Sequence, residues 1–431
     1  MRTHYISDAV ALPDGTEVTL AGWLHEVRDI RKICFSVLRD RSGKIQITAK
    51  AGTLPEDQME ILRSPKETVV SVTGKIAKGK GANAGVELYP TKVELLGKVY
   101  GKVPFDIADK EKLPDIDVRL DHRYVDLRRE EVQAIFRIRA TVQQAFREPL
   151  IQMGFDEIVP TAIVGAATEG GAELFPIVYF DKEAFLAQSP QLYKQLAVIG
   201  GMDRVFMQGP VFRAEPHSTT THLNEVYQMD IEMGFANDDD VMDIEEHVLK
   251  HILRSVAGKR SAELKLLNAS VTVPDKIPRF TYTELVDKLR ARGENIEWGE
   301  DFTRAHEKMI GEIVGAEAYF ITKWPTKIRA FYSMPSKDNP EVCNAFDLIY
   351  RGLEISSGAQ RIHDPELLAQ QIRGRGMDPL NFEFYIKAFR AGAPPHAGWS
   401  IGAERLTMKI CCLDNIREAA LFPRDRTRIH P

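Results

Sequence analysis

From Tyr227 to Met233 the chain alternates with a period of two. Tyr227, Met229, Ile231 and Met233 take one side, and Gln228, Asp230 and Glu232 take the other. This is the signature of a β-strand with one apolar and one polar face. Upstream, Phe212-Arg213-Ala214-Glu215 sets Arg213 and Glu215 on a common face, with Phe212 and Ala214 opposite. The polar stretch Pro216 to Asn224 joins the two arms, which predicts an antiparallel hairpin. Two fates are open to its charged face: a solvated outer surface, or a wall that holds a polar, phosphate-bearing ligand.

At 431 residues the chain exceeds one ordinary core, so two or three domains are expected. Hydrophobic residues at 44% and charged residues at 28% describe a soluble globular protein. The net charge of −5 does not advertise nucleic-acid binding, so an RNA partner must meet a local patch. The first residues lack the apolar core of a signal peptide, and no apolar run is long enough to span a bilayer. Cys34, Cys343, Cys411 and Cys412 lack metal-ligand spacing, so a reduced, cytoplasmic protein without structural zinc is expected.

Up to about residue 103 the chain reads as β-rich. The predicted strands are Glu17–Val27, Ile33–Arg39, Lys44–Ala49, Val69–Ala77 and Val86–Leu96, with a helix at Pro55–Leu62 between the third and fourth. Five strands with a helix in that slot fit the OB-fold, a small Greek-key barrel. Phe35 and Gln46 then fall on the face such barrels present to oligonucleotides; a core Phe and a surface Gln are the plainer alternative. A Pro- and charge-rich connector follows, and Glu130–Arg147 reads as an amphipathic helix that Pro149 should end or kink. Beyond it, helices and strands lack a regular βαβ rhythm, which favours a mixed, mostly antiparallel sheet.

No Walker loop is present. Four polar segments stand out instead. Thr168-Glu169-Gly170-Gly171 is a glycine-bearing loop with a carboxylate. Ser189-Pro190-Gln191 opens a helix that places Gln191 and Lys194 on one face. Asp347 and Glu354 flank a bend at Gly352, followed by Ser357 and Arg361. Gly398 to Arg405 sets a glycine-containing strand before a helix. Each is weak alone; together with the hairpin, in this order, they form a strong pattern.

These segments resemble a class II aminoacyl-tRNA synthetase: Phe136–Pro160 looks like motif 1, the hairpin at about 205–233 like motif 2, and about 396–412 like motif 3. The barrel, Gln188–Gln195 and the ending Phe422–Pro431 resemble aspartyl-tRNA synthetases of the archaeal/eukaryotic type. The resemblance implies an α+β multidomain chain. Residues 1–103 would form an anticodon-binding OB-fold and 104–130 a hinge. Residues 131–431 would form a catalytic domain on a mostly antiparallel sheet flanked by helices, with an insertion at about 237–326.

The implied activity is aspartate–tRNA ligation. Aspartate attacks the α-phosphorus of ATP, and the adenylate then passes its aspartyl group to tRNA(Asp), with tRNA(Asn) as a second acceptor. Positioning and charge stabilisation carry such a reaction. Arg213 would bridge the α-phosphate and the substrate carboxylate, a role that suits a planar fork. Glu215, Thr221, His222, Leu223, Glu354 and Gly402 would surround the nucleotide, and Arg405 would hold its γ-phosphate. Asp347, Glu354 and Ser357 would hold Mg²⁺, a hard ion that takes oxygen ligands. For aspartate, Lys194 and Arg361 would pair with the β-carboxylate and Asp230 would orient Lys194. Glu169 would reach the α-amino group, with Gln191 and Ser357 nearby. Such a site can reject the isosteric amide by about 10⁴-fold or more.

On the barrel, Phe35 would stack on an anticodon base while Gln46 and Glu87 bond base edges. His25, with Asn83 as its companion position, would bear on the choice between tRNA(Asp) and tRNA(Asn). A homodimer is expected as well.

Several departures from the family pattern are present. Thr221 stands where relatives carry Arg, Ala397 and Ser400 replace glycines beside the nucleotide, and Pro149 shortens the motif 1 helix. Three alternatives stay open: an asparaginyl enzyme, an asparagine-synthetase-like relative, and a non-catalytic tRNA-binding paralogue.

Overall fold

The computed structural model describes residues 1–79, 85–109, 112–165, 173–216 and 219–430. It divides into two compact units, Met1–Ile116 and Asp117–Pro431. The four cysteines are free. No helix among the described residues is long and apolar enough to cross a membrane.

In the first unit, β1 (Glu17–Asp29), β2 (Ile33–Asp40), β3 (Gly43–Lys50), β4 (Val69–Lys78) and β5 (Val86–Gly97) close into a barrel of order β1-β2-β3-β5-β4. Helix α1 (Glu56–Leu62) lies between β3 and β4. Alternation drives the closure: Leu20, Leu38, Ile45, Ile47, Val70, Val72 and Leu88 fill the interior. All five predicted strands and the helix are present, within two residues at each end.

The second unit is built on an eight-stranded sheet. Helix α2 (Glu130–Gln152) leads to β6 (Asp156–Glu157), and α3 (Gln191–Ala197) precedes β7 (Arg204–Phe212) and β8 (Glu225–Gly234). Helix α4 (Asp238–Lys259) is followed by β9 (Arg279–Thr281), β10 (Ala318–Thr322), β11 (Ala345–Tyr350), β12 (Leu353–Arg361), β13 (His396–Gly402) and helix α5 (Ala403–Ile410). The strand order is β9-β10-β11-β12-β13-β8-β7-β6, antiparallel except for the edge pairs β9–β10 and β7–β6. One sheet face lies against α2 and α4 in a core containing Phe146, Phe206, Met229, Ile231, Trp399 and Ile401. The opposite face carries the polar residues of β8 and, at its β10–β11 end, a second apolar cluster that includes Tyr319, Ile321, Ala345 and Ile349.

Three local expectations are corrected. Pro149 lies inside α2, and the helix continues to Gln152. Its true terminator is Gly154, at φ 78. Gly154 N–H donates to Ile151 O at 3.1 Å and Phe155 N–H to Leu150 O at 3.0 Å, the paired bonds of a Schellman stop. The predicted connector is partly structured in the second unit, where Arg123 and Asp126 are buried and joined at 2.7 Å. Residues 237–326, expected as an insertion, supply α4 to the main core and β9 and β10 to the sheet edge.

Candidate active site

The polar face of β8 is buried, which decides between the two fates open to the hairpin. Gln228, Asp230 and Glu232 are 9%, 1% and 0% exposed. Across β13 they pair with Gly402, Ser400 and Gly398, and Ser400 pairs in turn with Ser357 on β12. These rows form the floor of a cavity of about 420 Å³, a size suited to a small-molecule ligand. Its lining includes Gln191, Arg213, Glu215, Thr221, His222, Leu223, Glu354, Ser357, Arg361, Gly402 and Arg405. Residues scattered through the predicted nucleotide and aspartate sets thus share one hollow.

β7 ends at Phe212, so Arg213 and Glu215 lie beyond the strand and not on it as expected. Asn224 pins them there. Its Nδ2 donates to Arg213 O at 2.7 Å and to Glu215 O at 3.2 Å, while Arg213 N–H donates to Asn224 O at 2.8 Å. The Arg213 guanidinium itself has no hydrogen bond or ion pair among the described residues.

The other cavity arginines are engaged. Arg361 Nε donates to Glu232 Oε1 at 2.9 Å, and its Nη2 donates to Gln191 Oε1 at 3.1 Å and to Glu232 Oε2 at 3.3 Å. Gln191 Nε2 completes the ring by donating to Glu232 Oε2 at 3.1 Å. Ser189 Oγ accepts from Gln191 N–H at 3.2 Å, fixing the start of α3. Burial works to raise the Glu232 carboxyl, but Arg361 and Lys194 outweigh it and hold the group below its ordinary value.

Lys194 departs from its expected place. It is 0% exposed and lies behind the lining. Its Nζ donates to Asp230 Oδ1 at 2.7 Å and to Ile231 O at 3.2 Å. An ammonium this deeply buried must take the nearest carboxylate, because an unpaired buried charge is very costly. The contact with Asp230 is therefore present, and of the two cations expected for the β-carboxylate only Arg361 lines the cavity. Burial raises the Asp230 carboxyl despite Lys194.

At the other end, Arg405 Nη1 donates to Glu354 O at 2.9 Å and lies 3.7 Å from Glu354 Oε1. Arg405 Nη2 donates to His222 Nε2 at 3.3 Å, which leaves Nδ1 as the protonated nitrogen, bonded to Thr219 Oγ1 at 2.6 Å. Leu223 is buried against Met408 and Ile416. Ala397 is corrected: it faces the core at 0% exposure, and only Ser400 of the two glycine replacements looks into the cavity.

Asp347 is buried and does not line the cavity; Arg329 donates to it and, at 3.1 Å, to Ser357 Oγ. Burial pushes the Asp347 carboxyl up to about 6, with Arg329 opposing and Glu354 reinforcing the rise. Arg351 and Gly352, both at positive φ, make the tight turn that joins β11 to β12 and sets Asp347 opposite Ser357 and Ile349 opposite Glu354. No group of three Asp, Glu, His or Cys side chains among the described residues is arranged to hold a metal ion. The all-oxygen set of Asp347, Glu354 and Ser357 suits Mg²⁺, which takes few protein ligands and completes its shell with water and phosphate oxygens. Arg329 now holds two of those three groups. The sequence alone assigns no role to Glu232 or Arg329. Alternation already sets Glu232 beside Asp230, whereas nothing local marks Arg329.

On the barrel, Phe35 pairs with Thr48, and Gln46 with both Val37 and Glu87. Gln46 Nε2 donates to Thr48 Oγ1 at 3.2 Å, and Thr48 Oγ1 donates to Glu87 Oε2 at 2.7 Å. Phe35, Gln46 and Glu87 are thus partly exposed neighbours. His25 is set apart. It occupies a β-bulge opposite Leu38 and Val37, is 6% exposed, and accepts from Arg39 Nη1 at 2.8 Å through Nδ1. Arg39 in turn forks onto Glu67 at 3.0 and 2.8 Å. Burial, then Lys44 and Arg39, hold the imidazole below its ordinary value. Asn83 and Glu169 lie outside the described residues.

A closed five-stranded barrel and a mostly antiparallel sheet floored with buried charge define the class. Residues 18–96 match the family described as OB-fold nucleic acid binding domain, and residues 115–426 match tRNA synthetases class II (D, K and N). The chain belongs to the class II aminoacyl-tRNA synthetases. It is 46% identical over 432 residues to the aspartate–tRNA(Asp/Asn) ligase of Methanococcus aeolicus, covering 100% of this chain and 98% of that one. To the protein of the same name from Archaeoglobus fulgidus it is 47% identical over 430 residues, covering 99% of each. Within the class, its family is that of the aspartyl-tRNA synthetases.

Among solved structures it is similar to the asparaginyl-tRNA synthetase of Pyrococcus horikoshii complexed with asparaginyl-adenylate. That match has a TM-score of 0.93 and 32% identity, over 99% of both chains. It is also similar to the aspartyl-tRNA synthetase of Entamoeba histolytica, with a TM-score of 0.89 and 32% identity, over 99% of this chain and 92% of that one.

Proposed function

We propose that this chain activates L-aspartate with ATP and transfers it to tRNA(Asp) and tRNA(Asn). One observation carries the reading: Arg213, whose guanidinium has no partner among the described residues, shares a cavity with the locked Gln191–Glu232–Arg361 ring. The ring leaves Arg361 Nη1 without a hydrogen-bond partner among the described residues, and this nitrogen receives the β-carboxylate. Arg213 holds the α-carboxylate against the α-phosphate for in-line attack, and pyrophosphate leaves on the opposite side. Glu215 and neutral His222 line the nucleotide end, and Arg405 binds the γ-phosphate. Asp347, Glu354 and Ser357 would hold Mg²⁺, which neutralises phosphate charge when bound. Glu169 is assigned to the substrate amino group by the family pattern alone. Exposed Val159, Val178 and Phe180, at 96%, 90% and 85%, fit a homodimer surface, and the cytoplasm is the expected compartment.

Pyrophosphate exchange tests the reading, run with aspartate or asparagine as the amino acid. The likeness to the Pyrococcus horikoshii enzyme makes asparagine the competitor of choice. Exchange is expected with aspartate and at least about 10³-fold less with asparagine. Equal or reversed preference would reject the assignment. Charging of purified tRNA(Asp) and tRNA(Asn) is expected for both, and failure with tRNA(Asn) at high enzyme concentration would restrict the function to tRNA(Asp).

The barrel supplies a second prediction. Phe35→Ala removes the stacking surface, so KM for tRNA should rise by roughly tenfold while tRNA-independent exchange stays within about twofold. An unchanged tRNA KM would remove Phe35 from the interface.

A further inference from the structure

His222 is surrounded by arginines from three separate parts of the chain. Arg405 donates to its Nε2, and Arg213 lines the same cavity. The third is Arg304, whose Nη2 donates to Thr221 Oγ1 at 3.0 Å. Burial holds the His222 imidazole below its ordinary value, and Arg405, Arg304 and Arg213 reinforce this against Glu215. Arg304 is therefore close enough for its field to be felt inside the site.

Arg304 opens the helix Arg304–Val314 and lies 83 positions from Thr221 in sequence, so only the tertiary fold brings them together. A capping box fixes where that helix starts: Thr303 Oγ1 accepts from His306 N–H at 3.2 Å, and His306 Nδ1 accepts from Thr303 N–H at 3.3 Å. Glu307, further along the helix, is pushed up by burial while Arg405 and Arg304 oppose the rise. Arg304 is exposed, and among the described residues it makes no ion pair. Its bond to Thr221 uses one of five N–H donors. A solvent-facing guanidinium anchored to a cavity-lining threonine, its other donors without partners among the described residues, is disposed to bind an anion at the mouth.

We propose that Arg304 is a phosphate-binding residue of this site. It closes a cradle with Arg213 and Arg405 around the terminal phosphates of the nucleotide and around pyrophosphate as it leaves. The inference rests on the function proposed above. It also explains what Thr221 does at the cavity wall, where its hydroxyl accepts from Arg304 and holds the guanidinium at the mouth.

The test uses Arg304→Ala and Arg304→Lys in the full-length protein. In pyrophosphate exchange, Arg304→Ala should raise KM for ATP and for pyrophosphate by about tenfold, with KM for aspartate unchanged. Arg304→Lys should recover part of the loss, because it keeps the charge without the fork. An unchanged ATP KM overturns the proposal. So does an equal rise in the aspartate KM, which marks a structural role, or a rise confined to the tRNA KM, which assigns the group to a tRNA phosphate. Calorimetry with inorganic tripolyphosphate separates this inference from the function itself. Should wild type lack exchange with either amino acid, the proposed function fails. Arg304 would still be supported by tripolyphosphate affinity about tenfold weaker in Arg304→Ala, and rejected by equal affinities.

Discussion

Arg213→Lys is expected to lower aspartate-dependent pyrophosphate exchange by about 10²–10³-fold while leaving the fold intact. The substitution keeps the positive charge. It removes the planar fork that can touch a carboxylate and a phosphate at once, and an ammonium cannot span both with fixed geometry. Folding should be spared because the Arg213 side chain has no partner among the described residues; its position comes from backbone bonds to Asn224. Steady-state exchange and a denaturant titration on the same preparation separate the two effects. An exchange rate within about threefold of wild type would place the α-phosphate elsewhere.

Gly398→Ala should damage both stability and substrate binding. A Cβ at that position would lie 2.3 Å from Glu232 Oε2 and 2.3 Å from Ile231 O. The first contact could be relieved by moving a side chain. The second is backbone of the paired strand β8, so the sheet itself must shift. Overpacking of this kind costs about 1–3 kcal/mol. Displacing Glu232 would also unlock Arg361 and Gln191, and KM for aspartate should rise by at least about tenfold. Gly402→Ala is the matched control for stability. It sits on the same strand and also lines the cavity, yet its new Cβ would meet nothing closer than Arg405 Cβ at 3.9 Å. Its φ of −76 suits any residue. Equal unfolding midpoints for the two variants would refute the steric account.

Much of this architecture is legible in the sequence because periodicity is local. The barrel strands and the two faces of β8 follow directly from alternation at Leu20, Ile45 and Ile231 and their neighbours. The gathering of Gln191, Arg213, Arg361 and Arg405 comes from matching segments to a family, since residues so far apart in sequence carry no spacing that predicts contact. What stays hidden depends on tertiary contact. Pro149 misleads because its cost to α2 is outweighed by the buried stripe of that helix, while the stop is made by Gly154. Lys194 is expected at the surface of the cavity, but its depth is visible only once β8 packs over α3. Ala397 is expected on the wrong face, and pairing with β8 settles it. His25 turns inward at a bulge that no residue type announces.

The strand Glu225–Gly234 presents core residues and the polar residues at the cavity floor in alternation, so the two jobs are tied to one count of positions. Inserting or deleting a single amino acid within it would swap the faces from that point on, driving carboxylates into the hydrophobic interior and methionines toward the substrate. Such a lesion cannot be partial. Specificity along this strand can therefore drift by replacement of side chains, whereas any change in its length should be lethal to folding and chemistry together.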